Sequence, residues 1–203
     1  MKSLLRRKQL SFIQEIKLFG KVIDLGSKSK ENHYYTLLDH SKIRSFTFTD
    51  FYHESEGVVK VNLEGKFKLE DNSFDNILLF NVLEHIYNER NLIEESYRIC
   101  REGGFIYVLV PFLWHFHKDP YDYKRYTSEA LEKLLSDSGW NIVEITPTVS
   151  GRLTASYSLI ETIFPNFIRA ILEKVVPLVD RILSKFTEFG SCFVVGYTVV
   201  AKK

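Results

Sequence analysis

Short apolar runs alternate with segments of helical periodicity along this 203-residue chain, and this alternation restricts its possible folds more than any other feature. The run at 21–26 ends in glycine, as a buried strand entering a tight turn does. Helical spacing of apolar residues at 89–101 and 127–136 precedes further apolar runs. His85 is expected to open the first of these helices, and Gly103-Gly104 to end it. Strands that alternate with helices form a mostly parallel sheet covered on both faces. The sequence therefore predicts an α/β fold with a three-layer, Rossmann-like, doubly wound sheet.

The length of the chain suits a single domain with a continuous core. We expect strands at 21–26, 44–51, 57–62, 76–83, 105–111, 140–146 and 192–201. The predicted organisation of residues 1–203 is an N-terminal helix at 1–20, a Rossmann-like core at 21–149, a helical insertion at 150–190 and a last strand at 191–203.

The insertion carries apolar residues at helical spacing from Ile160 to Phe186, and Pro165 and Pro177 are expected to divide it into two or three helices. In one interpretation its apolar face packs on the domain or on a second copy, which would make a homodimer. In the other it forms a lid or an interfacial surface for a lipid-linked substrate. The basic residues that would assist such a surface are Arg169, Lys174, Arg181 and Lys185.

The overall charge argues against a nucleic-acid partner, because 27 basic and 26 acidic residues leave a net charge of +1. Two cysteines, Cys100 and Cys192, are too few for a disulfide framework or a metal knuckle. No uncharged apolar run reaches the roughly 18 residues needed to span a bilayer. These properties predict a cytoplasmic protein, with peripheral membrane contact through 150–190 as an alternative.

The residues that end the predicted strands indicate a ligand, since open α/β sheets bind ligands beyond the carboxyl ends of their strands. Asp24 and Gly26 end the first strand, and glycine allows a close approach of the backbone to a ligand. Asp50 lies 24 residues after Gly26, near the spacing of about 20 residues expected for an acid that binds ribose hydroxyls. This pairing favours an adenosine ligand, although both acids also suit the capping of turns.

Four stretches in order, VIDLGS, FTD, VNLEGKFKLEDNSFDNILLFNVLEHI and RICREGGFIYVLVPF, resemble the class I S-adenosylmethionine-dependent methyltransferases over residues 21–146. The closest likeness is to the methyltransferase type 11-like group that contains a Leu-Glu-His signature. The resemblance implies a sheet whose last strand is antiparallel, and S-adenosylmethionine as cofactor. It assigns Asp24, Gly26 and Ser27 to the methionine part, Asp50 and Phe51 to the ribose region, Asn62 and Leu63 to the adenine, and Phe80 and Asn81 to backbone contacts near the amine.

Candidate catalytic groups concentrate after the fifth predicted strand. His115 and His117 fall on one side of an extended segment, and Asp119 is close enough in sequence to orient an imidazole. We predict His117 with Asp119 as the base, and His115 and His85 as further candidates. No metal-ligand spacing is recognisable, so no metal is predicted. The text HKDPYDYKRYT at 117–127 resembles a methyltransferase branch associated with sugar and surface-polysaccharide pathways.

The leading hypothesis is an enzyme, EC 2.1.1.-, that transfers methyl to a hydroxyl of a small molecule, such as a sugar or a lipid-linked glycan. The glycine-rich loop usual after the first strand is reduced here to Gly26, with Lys28 and Lys30 beyond it. A degenerate, non-catalytic module that binds an adenosine cofactor therefore stays an alternative. A nucleotide-dependent oxidoreductase is a further one, favoured only by the general pattern of strand, glycine and acid.

Overall fold

The computed structural model describes residues 2–27, 34–52, 55–183, 185 and 192–203. In this part of the chain, seven strands form one sheet in the order β3-β2-β1-β4-β5-β7-β6. They are β1 (Gly20–Asp24), β2 (Ile43–Asp50), β3 (Val58–Lys60), β4 (Phe74–Phe80), β5 (Cys100–Pro111), β6 (Asn141–Ser150) and β7 (Val194–Lys202). All neighbouring pairs are parallel except those of β7, which is antiparallel to β5 and β6. The predicted fold class is confirmed.

Helices cover both faces of the sheet because alternate side chains of its central strands point to opposite sides. The helices are α1 (Leu4–Glu15), α2 (Glu89–Ile99), α3 (Ser128–Asp137), α4 (Arg152–Ile160) and α5 (Asn166–Leu183). Ile77 and Leu79 of β4 lie in one core cluster with residues of α2 and α3. Leu78 and Phe80, on the opposite side of the same strand, pack in a second cluster with residues of α1. The strand β4 thus contributes to two apolar cores, and the sheet is the middle of three layers.

The winding of the sheet reverses beside β1. The chain first adds β2 and β3 on one side of β1 and then crosses to place β4 on the other side. Such a reversal opens a crevice beyond the carboxyl ends of the two strands that flank it, and ligands bind there in open α/β sheets. The residues that follow β1, β2 and β4 therefore lie at the expected ligand site.

The connection between β4 and α2 differs from the prediction of a strand through Leu83 and a helix opened by His85. The strand ends at Phe80, and Asn81 takes a left-handed backbone conformation with φ of +55°, which ends the extended path. A 3₁₀ turn spans Leu83–His85, and α2 begins only at Glu89. His85 therefore closes a short turn that faces the carboxyl end of the sheet.

Two further local predictions are wrong. Gly103 and Gly104 lie in β5 instead of ending α2, because the Gly103 N–H donates to the Lys203 carbonyl and the Lys203 N–H donates to that of Gly104. Strand pairing with the end of the chain thus replaces a helix cap. Pro177 lies inside α5 without ending it, whereas Pro165 does separate α5 from the preceding helical turn. Proline lacks one helical hydrogen bond, but the tertiary packing of α5 maintains the helix.

The helical segment 152–183 is attached to the N-terminal helix by buried polar contacts. The Leu4 N–H donates to both carboxylate oxygens of Glu161, at 3.0 and 3.1 Å. Arg169 pairs with the same carboxylate at 3.2 Å, and Arg7 pairs with Glu173. These contacts join the N-terminal helix to the helical segment, and the Glu161–Arg169 pair among them is buried.

The outward face of the helical segment is apolar, contrary to the interpretation that this face packs on the domain. The buried residues of α5 are Arg169 and Asp180, whereas Phe167 and Ile171 are 70% and 61% exposed. Leu172 and Val176 do pack against a small core cluster. Other exposed apolar residues of this segment are Ile163, Val175, Leu178 and Ile182. Among the described residues, no helix is long and apolar enough to cross a membrane.

Candidate active site

A cavity of about 340 Å³ opens beyond the carboxyl ends of β1, β2 and β4, where the winding reverses. Its walls include six of the residues predicted to bind cofactor, namely Gly26, Asp50, Phe51, Asn62, Leu63 and Asn81. Because these residues come from four separate stretches of sequence, their convergence is a property of the fold. The cavity is therefore the candidate ligand site.

Gly26 is required at its position by both its conformation and its surroundings. Its φ of +83° lies in the left-handed region, and a Cβ there would meet Val82 Cγ2 at 2.9 Å. The Gly26 N–H donates to Thr49 Oγ1 at 2.8 Å, and that hydroxyl donates to the Asp24 carbonyl. These bonds tie the turn after β1 to the end of β2, so the backbone lies against the cavity without a side chain between them.

The wall formed by β2 and β3 combines one carboxylate with apolar groups. Asp50 ends β2, and its Oδ1 accepts a hydrogen bond from the Tyr52 N–H at 2.6 Å. The acid therefore caps its own turn, as one interpretation of the sequence expected, and also lines the cavity. Leu63 and Ile86 add apolar surface to the same walls. A carboxylate beside an apolar slot suits a ribose and its base.

Three predicted cofactor residues lie behind the cavity wall. Asp24 is 1% exposed, and the Tyr34 hydroxyl donates to its Oδ2 at 2.7 Å. Burial raises the pKa of the Asp24 carboxyl to about 7. Ser27 donates through its hydroxyl to the Asp24 carbonyl, and the Phe80 ring packs edge-on against Tyr34. Their side chains support the strand ends, and Lys28 and Lys30 lie outside the described residues.

Asn81 is held by a residue of the N-terminal helix. Gln9 Nε2 donates to Asn81 Oδ1 at 2.8 Å, and Asn81 Nδ2 donates to Gln9 Oε1 at 3.2 Å. This two-way amide pair supports the left-handed conformation of Asn81, which lines the cavity. Gln9 was not predicted as a site residue, because only the folded chain brings α1 beneath the end of β4.

The segment 112–127 crosses over the turn at 83–87 and is fastened to its backbone. The N–H of Tyr123 donates to the Glu84 carbonyl at 2.8 Å, and the Tyr126 hydroxyl donates to the Leu83 carbonyl at 3.3 Å. Lys124 Nζ donates to the Tyr87 carbonyl at 2.9 Å. The polar residues of this segment thus serve first to hold it against the end of β4.

The predicted base His117 has Asp122, and not Asp119, as its carboxylate partner in these contacts. The backbone N–H of His117 donates to Asp122 Oδ2 at 2.8 Å, and the ring Nδ1 of His117 lies 3.5 Å from the same oxygen. Arg125 binds both oxygens of Asp122 at 2.5 and 2.8 Å, and holds the pKa of that carboxyl far below its usual range. Asp119 instead lines the cavity. Sequence proximity favoured Asp119, but the turn at 117–122 brings the later acid back to the imidazole.

The structure brings the three candidate histidines together, since the His117 ring lies between those of His85 and His115, which is 5.8 Å away between centroids. The rings of His85 and His117 are 5.0 Å apart between centroids, and His85 lines the cavity. Its Nδ1 lies 2.5 Å from the Tyr121 carbonyl, and burial lowers the pKa of this imidazole. His115 is exposed, with its ring against Trp114 and its carbonyl accepting from Arg125.

Glu84 lies beneath this histidine pair and was not predicted as a site residue. Its side chain is fully buried, and its Oε1 is 3.8 Å from Nε2 of both His85 and His117. Burial raises the pKa of the Glu84 carboxyl to about 8. The signal in the sequence was a single acid inside the otherwise apolar stretch NVLEHI. An acid there is expected in a core only when a partner accompanies it.

The strand order and the cavity at the reversal point are those of the class I, S-adenosylmethionine-dependent methyltransferase fold. Residues 29–108 match the family described as Methyltransferase domain. The predicted resemblance to that group is thereby confirmed, and the match supports S-adenosylmethionine as cofactor. No curated protein sequence matches the chain closely enough to show a relationship.

Solved structures share the fold at low sequence identity. A S-adenosylmethionine-dependent methyltransferase from Mesorhizobium loti has a TM-score of 0.61 and 11% identity, with 98% of each chain covered. The 1,6-didemethyltoxoflavin-N1-methyltransferase of Burkholderia thailandensis, solved with S-adenosylhomocysteine, has a TM-score of 0.60 and 12% identity, covering 98% of this chain and 78% of that one. The [4+2]-cyclase SpnF has a TM-score of 0.62 and 13% identity, covering 98% of this chain and 80% of that one. Since one neighbour is a cyclase, the fold alone does not establish methyl transfer.

Proposed function

We propose that this chain binds S-adenosylmethionine in the strand-end cavity and methylates a hydroxyl of a small molecule, either a sugar or a lipid-linked glycan. The observation that carries the proposal is the convergence in one cavity of six predicted cofactor residues with His85 and Asp119. Cofactor residues align the methyl group with the acceptor, and a neutral imidazole can accelerate the transfer by accepting the proton of a hydroxyl.

The residues present fit the cofactor. In this proposal Asp50 accepts hydrogen bonds from the ribose hydroxyls, and Asn62 and Leu63 lie beside the adenine. Gly26 admits the methionine part, with Asp24, Ser27 and Phe80 supporting the turn, and Asn81 provides a backbone contact for the amine. When bound, the cofactor supplies an electrophilic methyl group.

His85 and His117 are proposed to accept the proton of the acceptor hydroxyl. The Nδ1 of His85 donates to the Tyr121 carbonyl, which leaves the lone pair of its ring on Nε2. Its lowered pKa keeps this imidazole neutral near pH 7, as a proton acceptor must be. His117, beside it, is oriented by Asp122, so we revise the predicted pair of His117 and Asp119 to this arrangement.

Exposed aromatic rings at the mouth of the cavity support a flat or ring-shaped acceptor. Tyr121 and Tyr123 line the cavity with their rings stacked at 5.4 Å, and Tyr87 packs edge-on against Tyr123. Aromatic faces with a hydroxyl at one end suit the apolar face and polar edge of a sugar. The resemblance of 117–127 to methyltransferases of polysaccharide pathways points to the same class of acceptor.

A lipid-linked acceptor is supported by the outward face of α5, which we propose lies on an anionic membrane surface. The exposed charged residues of α5 are Lys174 and Arg181, whereas its acids are paired or buried. Exposed apolar side chains flanked only by basic ones are typical of helices that lie in a membrane interface. Arg169 was also predicted to assist such a surface, but it is buried and paired with Glu161.

Calorimetric titration with S-adenosylmethionine, S-adenosylhomocysteine and NAD tests the cofactor. We expect the first two to bind and NAD not to bind. Asp50→Ala should weaken cofactor binding by about 10- to 100-fold, because hydrogen bonds to a charged group contribute about 1.5–3 kcal/mol. His117→Ala should change it far less. Equal losses would show that the roles are assigned wrongly, and binding of NAD alone would favour an oxidoreductase.

Sedimentation with vesicles tests the membrane surface. Anionic vesicles should carry the protein down at low salt, and Phe167→Ser combined with Ile171→Ser should abolish this while cofactor binding is kept. A dimer that disperses with the same substitutions, and no binding to vesicles, would instead assign the face to a second copy.

A second candidate is the non-catalytic or non-methylating module, which the cyclase among the structural neighbours favours. Binding of S-adenosylmethionine without turnover across a panel of sugar and glycolipid acceptors would support it. Release of S-adenosylhomocysteine only in the presence of an acceptor would exclude it.

A further inference from the structure

Glu84 carries a buried carboxyl group that makes no hydrogen bond through either of its oxygens within the described part of the chain. The residue is 0% exposed. An unpaired polar group in a protein interior costs about 1–3 kcal/mol, and more when it is charged. Such a group in a folded protein calls for a partner such as a proton, a water molecule or an ion.

Two imidazole rings face this carboxyl group with the same nitrogen. The Nε2 atoms of His85 and His117 each lie 3.8 Å from Glu84 Oε1. The ligand atoms of the three residues all lie within 4.8 Å of one another. Both nitrogens therefore point toward a common volume beside a buried carboxylate.

The other ring nitrogens are already engaged, which fixes the orientation of both rings. His85 Nδ1 lies 2.5 Å from the Tyr121 carbonyl, and His117 Nδ1 lies 3.2 Å from the His115 carbonyl. An N–H that donates to a carbonyl places the lone pair on Nε2. Histidines that bind metals generally show this arrangement, with the second nitrogen donating to a carbonyl or carboxylate.

We propose that Glu84, His85 and His117 bind a divalent first-row transition-metal ion, with Zn²⁺ as its probe. Two imidazole nitrogens and one carboxylate oxygen form a donor set that such ions prefer. Metal–ligand distances of about 2.0–2.2 Å place neighbouring ligand atoms about 2.8–3.6 Å apart for ligand–metal–ligand angles of about 90–109°, so separations of 3.8 Å close with small side-chain rotations. Asp122, fastened by Arg125, would support the His117 ring from behind.

The prediction from the sequence that no metal is bound rested on spacing along the chain. Glu84 and His85 are adjacent, whereas His117 lies 32 residues further on and approaches them only because the segment 112–127 folds back over the turn at 83–87. The spacing of these ligands therefore matches no short motif, although the three donor groups are adjacent in the folded chain.

The role of the ion in catalysis rests on the proposed function. His85 lines the cavity, so an ion bound to its Nε2 would reach an acceptor hydroxyl there as a Lewis acid. The hydroxyl would then lose its proton to solvent while its oxygen forms the bond to the methyl carbon and the carbon–sulfur pair returns to sulfur. In the ion-bound protein His85 and His117 are ligands, and the roles as bases that are proposed above belong to the ion-free protein.

Titration of untagged, chelator-treated protein with Zn²⁺ tests the site, and the absorption spectrum of the Co²⁺-loaded protein reports its coordination. We expect saturable binding of a single ion per chain. Glu84→Gln and His117→Gln should each weaken it at least about 100-fold, since loss of an outer partner alone typically costs 10- to 100-fold. His40→Gln, at an exposed histidine that contacts the Tyr35 carbonyl, should bind like the wild type.

No saturable binding by the wild type, or equal binding by the Glu84→Gln and His117→Gln variants, would overturn the metal site. His117 is half-buried, so its variant remains informative if Glu84→Gln fails to fold. Binding of S-adenosylmethionine is measured on the same samples. If the protein binds S-adenosylmethionine but shows no saturable Zn²⁺ binding, only the proposed metal site is contradicted. If it binds Zn²⁺ but not S-adenosylmethionine, the proposed function is contradicted.

Discussion

The carboxyl end of the sheet and the helical segment 152–183 use opposite kinds of residue for opposite purposes. At the sheet end, the segment 112–127 turns Asp122, Lys124 and Arg125 toward the protein and binds the backbone of 83–87. In the helical segment, polar groups such as Arg169 and Asp180 are buried, and large apolar side chains face outward. Polarity in the sequence therefore does not indicate which residues contact solvent in either region.

This contrast indicates which region is complete in itself. Within the segment 112–127, Asp122 pairs with Arg125, and Lys124 binds the turn at 83–87 and Glu89, so the segment holds His117 beside His85 without another molecule. The outward face of α5 leaves apolar surface in water, which soluble monomers seldom do over a contiguous patch. The sheet end thus suits a small ligand, and the uncovered apolar face of α5 is the basis of the proposed docking surface.

The largest expected effect comes from breaking the charge pair at the sheet end. Asp122→Asn removes a buried partner of Arg125 and should lower the free energy of unfolding by about 3 kcal/mol, the lower end of the range for buried pairs, because Arg125 is partly exposed. Urea denaturation measures this loss. Asp137→Asn, which breaks the exposed pair with Lys133, should cost less than about 1 kcal/mol. Similar losses for both variants would contradict the view that 112–127 is held by its own charges.

A smaller effect is expected from pH at the end of β1. The pKa of Asp24 is about 7 in the folded chain and 3.8 in the unfolded one, so the stability it contributes is full below about pH 4 and is lost as pH rises through 7. The free energy of unfolding of the wild type should therefore fall by on the order of 2 kcal/mol between pH 5 and pH 7, and Asp24→Asn should remove this fall. Thermal or urea unfolding at the two pH values measures the fall. Asp39→Asn, at an exposed aspartate, should keep it, and an unchanged fall in Asp24→Asn would refute the assignment.

The smallest expected effect belongs to the outward face of α5. Ile171→Ala should leave the free energy of unfolding within about 0.5 kcal/mol of the wild type, because an exposed side chain has little contact to lose. Ile93→Ala, in α2, is the matched control and should cost about 2–5 kcal/mol, since Ile93 is fully buried. Urea denaturation of both variants suffices. A large loss for Ile171→Ala at micromolar protein would indicate that α5 is already covered by a second chain.

The sequence was sufficient to predict the fold, because the period of the apolar residues decides between strand and helix locally. It also placed Gly26 and Asp50 at strand ends, since each follows directly from where a strand stops. The end of β4 was predicted too late, at Leu83, because the left-handed conformation of Asn81 depends on its amide pair with Gln9. That contact spans 72 residues and leaves no local signal.

The partners of the site residues were harder to predict for the same reason. Sequence proximity favoured Asp119 for His117, whereas the fold supplies Asp122 and Glu84. The sequence left open what the apolar face of α5 contacts, because periodicity shows that a helix is amphipathic without showing which side meets the core. Charged groups that anchor a helix from within, such as Arg169 with Glu161, reverse the usual orientation.

The N-terminal helix α1 touches both of the regions compared above. Its Gln9 supports Asn81 at the cavity, while its Leu4 N–H and its Arg7 side chain bind Glu161 and Glu173 of the helical segment. A helix of 12 residues moves largely as one body. The helix α1 is therefore a direct mechanical connection between the proposed docking face of α5 and the floor of the cavity.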